Sequence, residues 1–93
     1  MGRIRLTGSG WGREVEEDDA VLLAEKLSSG GQWGLSAKIA QNLARGGEIP
    51  LGLEEKRGLL VTLQEMRSGG GRFPTRLSQL CEDLDDDIAG YEA

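Results

Sequence analysis

The chain has 93 residues, a formal net charge of -5, 38% apolar and 4% aromatic residues, no histidine and one cysteine, Cys81. That length suits a single domain with a small aliphatic core, and no apolar run approaches the roughly 20 residues that cross a bilayer. The lack of histidine removes the commonest general base and transition-metal ligand, and a lone cysteine excludes an internal disulfide. The composition therefore points to a cytoplasmic protein that is not an enzyme and has no cofactor, no metal and no membrane contact.

Charge is distributed in blocks. Residues 1–13 hold Arg3, Arg5 and Arg13 without an acid, residues 14–37 carry a net -5, residues 38–76 a net +3, and residues 77–93 hold six acids and no base. Segregated charge of this kind steers encounters and sets specificity at an interface.

Arg3, Ile4, Arg5, Leu6 and Thr7 alternate polar and apolar as an edge strand would, but Gly8, Gly10 and Gly12 follow directly and favour flexibility. Residues 1–17 are expected to form a flexible or loosely docked arm, because one strand without a partner in this chain would have to pair with another molecule. Residues 18–93 are expected to form a single helical domain.

The first helix is expected to start at Asp18 or Asp19, whose carboxylates complement the positive helix end. Ala20, Leu23, Ala24 and Leu27 share its apolar face, Val21 and Leu22 broaden it, and residues 28–31 end it. The second helix carries Leu35, Ile39 and Leu43 at spacings of four, with Ser36 as its cap and Gly46-Gly47 as its stop. Residues 48–52 then read as the short turn of a helical hairpin.

The third helix spans residues 53–67 with Leu59, Leu60, Leu63 and Met66 as its buried stripe. Gly58 in its middle costs roughly 1 kcal/mol against Ala and marks a close helix crossing. Residues 68–71 form a loose linker. The fourth helix begins near Pro74 or Thr75 and places Leu77, Leu80, Cys81, Leu84, Ile88 and Tyr91 on one face, opposite a largely acidic one. The expected fold class is all-α, a compact bundle of about four short helices with a flexible N-terminal arm.

Few residues suggest chemistry. Cys81 lies in an apolar stripe beside Glu82 and Asp83, where burial and carboxylates both raise a thiol pKa and make it a structural residue. Asp83, Asp85 and Asp87 open like a calcium loop, but Ile88 stands where that loop needs Gly, and its twelfth position falls beyond Ala93. Residues 8–12 could pass for a phosphate loop, but the Lys with Ser or Thr that such a loop needs at its far end is missing.

The leading reading is a non-enzymatic protein-protein interaction or regulatory module with an acidic C-terminal helix surface. Its candidate partner-binding residues are Trp11, Trp33, Asp83, Asp85, Asp86 and Asp87. Trp11, on the arm, is the better candidate for an exposed contact, whereas Trp33 is expected to cap the core.

The alternative is a small helix-turn-helix-like nucleic-acid-binding regulator using Lys38, Arg45, Lys56, Arg57, Arg67, Arg72 and Arg76. Its connector at residues 46–52 is longer than usual for that motif, and Glu54-Glu55 opens the would-be recognition helix. The partner is thus expected to be another protein, with nucleic acid as the weaker option and homo-oligomerisation open.

Overall fold

The opening residues, expected to be a loose arm, instead form two strands of a sheet. The computed structural model describes residues 3–8, 10–69 and 73–92. Its elements run β1 (Ile4–Gly8), β2 (Trp11–Val15), α1 (Glu17–Ser29), α2 (Trp33–Leu43), β3 (Glu48–Pro50), α3 (Leu53–Ser68) and α4 (Thr75–Glu92). The chain reverses between β1 and β2 through Gly10 at φ +81°, a left-handed conformation that glycine adopts at little steric cost.

β1 is the central strand, with the order β2-β1-β3. It pairs antiparallel with β2, placing Ile4 opposite Val15 and Leu6 opposite Arg13, and parallel with β3, placing Leu6 beside Ile49. Alternation gives the sheet one apolar face. Ile4, Leu6, Val15 and Ile49 are buried in the same core as Leu23, Leu27, Ile39, Leu59, Leu63 and Leu84. The expectation of an all-α helical bundle with a flexible arm is thereby overturned: the fold is mixed α/β, a small mixed sheet with four helices.

The physical reason lies in residues 48–50. They were expected to be only a turn, yet Glu48, Ile49 and Pro50 run alongside Arg5, Leu6 and Thr7, supplying the partner that the first strand lacked. Leu51 N–H donates to Thr7 O at 2.7 Å and Arg5 N–H donates to Gly47 O at 3.1 Å, closing the pairing from both ends. A three-residue strand has no periodicity of its own; its pairing with β1 defines it.

The helices follow the apolar spacing closely. α1 packs on α2 and α3, and α4 packs on α3. The α4 stripe of Leu77, Leu80, Cys81, Leu84 and Ile88 is buried, while the side chain of Tyr91 lies outside the described residues. Ser36 is not a cap: α2 begins at Trp33, and the Ser36 hydroxyl donates to Ala24 O at 2.7 Å, tying α2 to α1. Gly58 marks a close approach of a different kind from a helix crossing. A Cβ there would lie 2.7–2.9 Å from the terminal amide of Gln32, in the α1–α2 connection.

Candidate functional site

The six candidate partner-binding residues divide between the interior and the surface. On α4, Asp83 accepts from Arg13 Nε at 2.6 Å, joining the helix to β2, and Asp87 accepts from Lys56 Nζ at 2.5 Å, joining it to α3. Lys56 has no exposed side-chain surface, and its ammonium also donates to Gly8 O at 3.3 Å and sits 5.5 Å from the Trp11 ring centroid. Asp83 and Asp87 therefore hold the fold together. Asp85 and Asp86 are exposed, together with Glu82, and make no ion pair among the described residues.

The two tryptophans exchange their expected places. Trp11 packs partly buried against the core, and its Nε1–H is inaccessible and has no hydrogen-bond partner among the described residues. The Arg13 guanidinium lies 5.8 Å from its ring centroid. Trp33, expected to cap the core, is instead 70% exposed. It is nevertheless fixed in place: its Nε1–H donates at 2.8 Å to Ser28 O, a carbonyl at the end of α1 that also accepts from Gly31 N–H at 3.1 Å.

Trp33 borders a groove of about 490 Å³ between the start of α2 and α3, whose other walls include Gln32, Leu35, Lys38, Gly58 and Val61. Val61 is 49% exposed, so the groove presents two large apolar side chains to solvent. At Gly58 the Gln32 side-chain amide occupies the space that a Cβ would take. Lys38 Nζ donates to Glu55 Oε2 at 2.8 Å along one wall. That bond, assisted by a hydrogen bond from Gly52 N–H, holds the Glu55 carboxyl below its ordinary range against the opposing effect of burial.

Three of the seven basic candidates are held by other parts of the chain. Lys38 is paired with Glu55, Lys56 is interior, and Arg76 Nε donates to the buried Asp19 at 3.0 Å. Arg45, Arg57 and Arg67 are exposed, and Arg72 lies outside the described residues. The connection between α2 and α3 contains β3, which is paired with β1, in place of the compact turn of a helix-turn-helix.

A groove of about 660 Å³ between α1 and α3 is lined by Asp18, Asp19, Leu22, Thr62 and Met66 among others. Two of its polar groups are engaged elsewhere: Asp19 with Arg76, and the Thr62 hydroxyl with Gly58 O at 3.0 Å. Cys81 is buried, and burial pushes its thiol pKa up, with Asp85 and Glu82 adding to the effect and Arg67 opposing it. Among the described residues no His, Cys, Asp and Glu group could hold a metal ion, and no helix is long and apolar enough to cross a membrane. No family model, no curated protein and no solved structure matches this chain.

The groove at Trp33 was only half legible in the sequence. Trp33 stood out as a large aromatic in a loop, and Val61 lies two residues from both Leu59 and Leu63, off the buried stripe of the third helix, but nothing local showed that the two would border one groove. The bond from Trp33 to Ser28 O depends on how α1 ends, which single-residue preference does not specify.

Proposed function

We propose that this chain is a non-enzymatic protein-interaction module that engages its partner through Trp33 and the adjoining groove. One observation carries the reading: an indole that is 70% exposed yet anchored through its ring N–H. An exposed, pre-positioned aromatic loses little conformational freedom on binding and buries a large apolar area, which is why tryptophan dominates interface hot spots. The exposed acids Glu82, Asp85 and Asp86 supply long-range attraction for a partner with a basic surface. The nucleic-acid alternative is weakened by the commitment of Lys38, Lys56 and Arg76 to internal pairs. A reducing, cytoplasmic setting accords with the buried, unpaired Cys81.

Affinity capture from native lysate tests the reading with wild type, Trp33→Ala and the double variant Asp85→Lys/Asp86→Lys. A protein retained by wild type should lose about 2 kcal/mol or more of binding in Trp33→Ala, roughly thirtyfold in affinity. In the charge-reversed variant its capture should become slower and less salt-sensitive. Equal retention by wild type and Trp33→Ala would reject the reading.

A further inference from the structure

The sheet stops at β2, and the outward side of that strand presents backbone groups that pair with no other strand among the described residues. β1 fixes their direction. Arg5 N–H and Thr7 O are bonded toward the β3 side, to Gly47 O and Leu51 N–H respectively. In an antiparallel ladder, opposed residues alternate between pairs that bond to each other and pairs whose backbone groups point apart. Arg5 faces Glu14 and Thr7 faces Gly12. Glu14 and Gly12 therefore direct their N–H and C=O groups away from β1, to the open edge.

That edge looks across a groove of about 210 Å³ at one face of α4, formed by Arg76, Gln79, Leu80 and Asp83, with Val15 and Leu77 contributing apolar surface. Arg13 lies across the groove. Its Nη1 donates to Gly12 O at 2.7 Å while its Nε donates to Asp83 Oδ2 at 2.6 Å. A single side chain thus covers an edge carbonyl and a helix carboxylate, the two acceptors that an incoming strand with a cationic side chain would use. Arg13 is itself 47% exposed, so solvent is open to receive it when it leaves.

We propose that the open edge of β2 takes up an extended, basic polypeptide segment by strand addition, with Arg13 as the side chain that the segment displaces. Backbone pairing dictates an extended occupant, because Gly12 and Glu14 offer donors and acceptors two residues apart. Charge dictates a basic one. Departure of Arg13 leaves Asp83 without its cation, and Asp86 stands one turn further along α4; Glu14 and Glu16 border the same groove and are already met by Arg3 and Arg5 at 3.5–3.8 Å, so Asp83 is the carboxylate that the occupant's cation takes over. A second copy of the chain fits less well, since it would bring its own Glu14 and acidic α4 against these carboxylates. β2 also lacks the proline that protects the other edge at Pro50. This surface shares no residue with the Trp33 groove, so either can fail without the other.

The test is amide hydrogen exchange on the full chain, read residue by residue by NMR, with a capped heptapeptide of alternating lysine and valine at about 1 mM, where weak complexes are populated. Two control peptides accompany it: the same sequence N-methylated at alternate residues, and its glutamate-valine counterpart. Strand addition predicts about tenfold or greater protection at Gly12 and Glu14, with Arg5 and Thr7 unchanged. It also predicts loss of the effect with both controls. Arg13→Gln should bind the lysine peptide about twofold to fivefold more tightly, the scale of releasing a surface ion pair. Asp83→Asn should bind it more weakly.

Equal binding of the N-methylated peptide would overturn the proposal in favour of charge alone, and so would equal binding of the acidic one. Protection that rises with protein concentration in the absence of peptide would assign the edge to a second copy instead. Absence of binding by both wild type and Arg13→Gln would also overturn it.

Discussion

Lys56 and Asp87 meet inside the molecule, the ammonium with no exposed surface and the carboxylate 20% exposed, at 2.5 Å. Asp19, at the start of α1, is the buried acid among the described residues and is met by Arg76. Both buried charges are thus answered from α4, by a cation near its start and an anion eleven residues later. That spacing is about three turns, or roughly 16 Å. Because the two signs are opposite, α4 satisfies Asp19 and Lys56 together in one direction and one register only. Apolar packing supplies the bulk of the attachment, and the ion pairs select its alignment.

Removing one member of the Lys56–Asp87 pair should be far worse than removing both. Asp87→Asn leaves a buried ammonium without its carboxylate and should cost about 3 kcal/mol in urea denaturation. The double variant Lys56→Met/Asp87→Leu replaces the pair with apolar side chains and should recover most of that loss. If the double variant is no more stable than Asp87→Asn, the pair does not control the position of α4.

The glycines predict opposite responses to the same substitution. A Cβ at Gly8 would lie 2.6 Å from Leu51 O, a backbone atom whose residue is bonded to Thr7, and 3.1 Å from Lys56 Cε. Gly8→Ala should therefore cost about 2 kcal/mol through overpacking. At Gly34, on the surface of α2, nothing lies within 4 Å of an added Cβ. Gly34→Ala should stabilise by about 0.5 kcal/mol, because it relieves the glycine penalty in a helix. Thermal or chemical denaturation of both variants checks the sign of each effect.

The same glycines explain what the sequence disclosed and what it hid. Gly31 and Gly46 end helices with positive φ, and the helix spacing between such stops is legible locally. Gly8 and Gly12 obey a tertiary requirement: Gly8 clears the path of Lys56 and Leu51 O, and Gly12 leaves room for Arg5. Seen without those neighbours, they read as flexibility and conceal a strand whose alternation at Ile4 and Leu6 was already visible. The acids on α4 show the same limit. Asp83 and Asp87 differ from Asp85 and Asp86 only in what lies opposite them, Arg13 seventy residues away in one case and Lys56 thirty-one in the other.

Stability should fall at both pH extremes for separate, removable reasons. The Glu55 carboxyl is held below its ordinary range, so its contribution is present at neutral pH and lost as pH falls below about 4.3. The Cys81 thiol is raised by burial, so the folded state keeps its proton when the unfolded chain gives it up, and stability declines as pH rises past about 8.5. Glu55→Gln should flatten the acid limb of the stability profile, and Cys81→Ala the alkaline one. An unchanged slope in either variant would remove that group as the cause.

The exchanged environments of the two tryptophans can be read directly by fluorescence. Trp33, 70% exposed, should emit at long wavelength and be readily quenched by iodide, whereas the partly buried Trp11 should emit to the blue and resist it. Trp33→Phe should abolish the quenchable component and cost about 1 kcal/mol, the value of its bond to Ser28 O. Trp11→Phe should leave that component intact. Its stability change should be small, because the lost ring volume is offset by removal of a buried N–H that has no acceptor among the described residues. If Trp33→Phe leaves quenching unchanged, the indole is not the exposed anchor on which the proposed interaction depends.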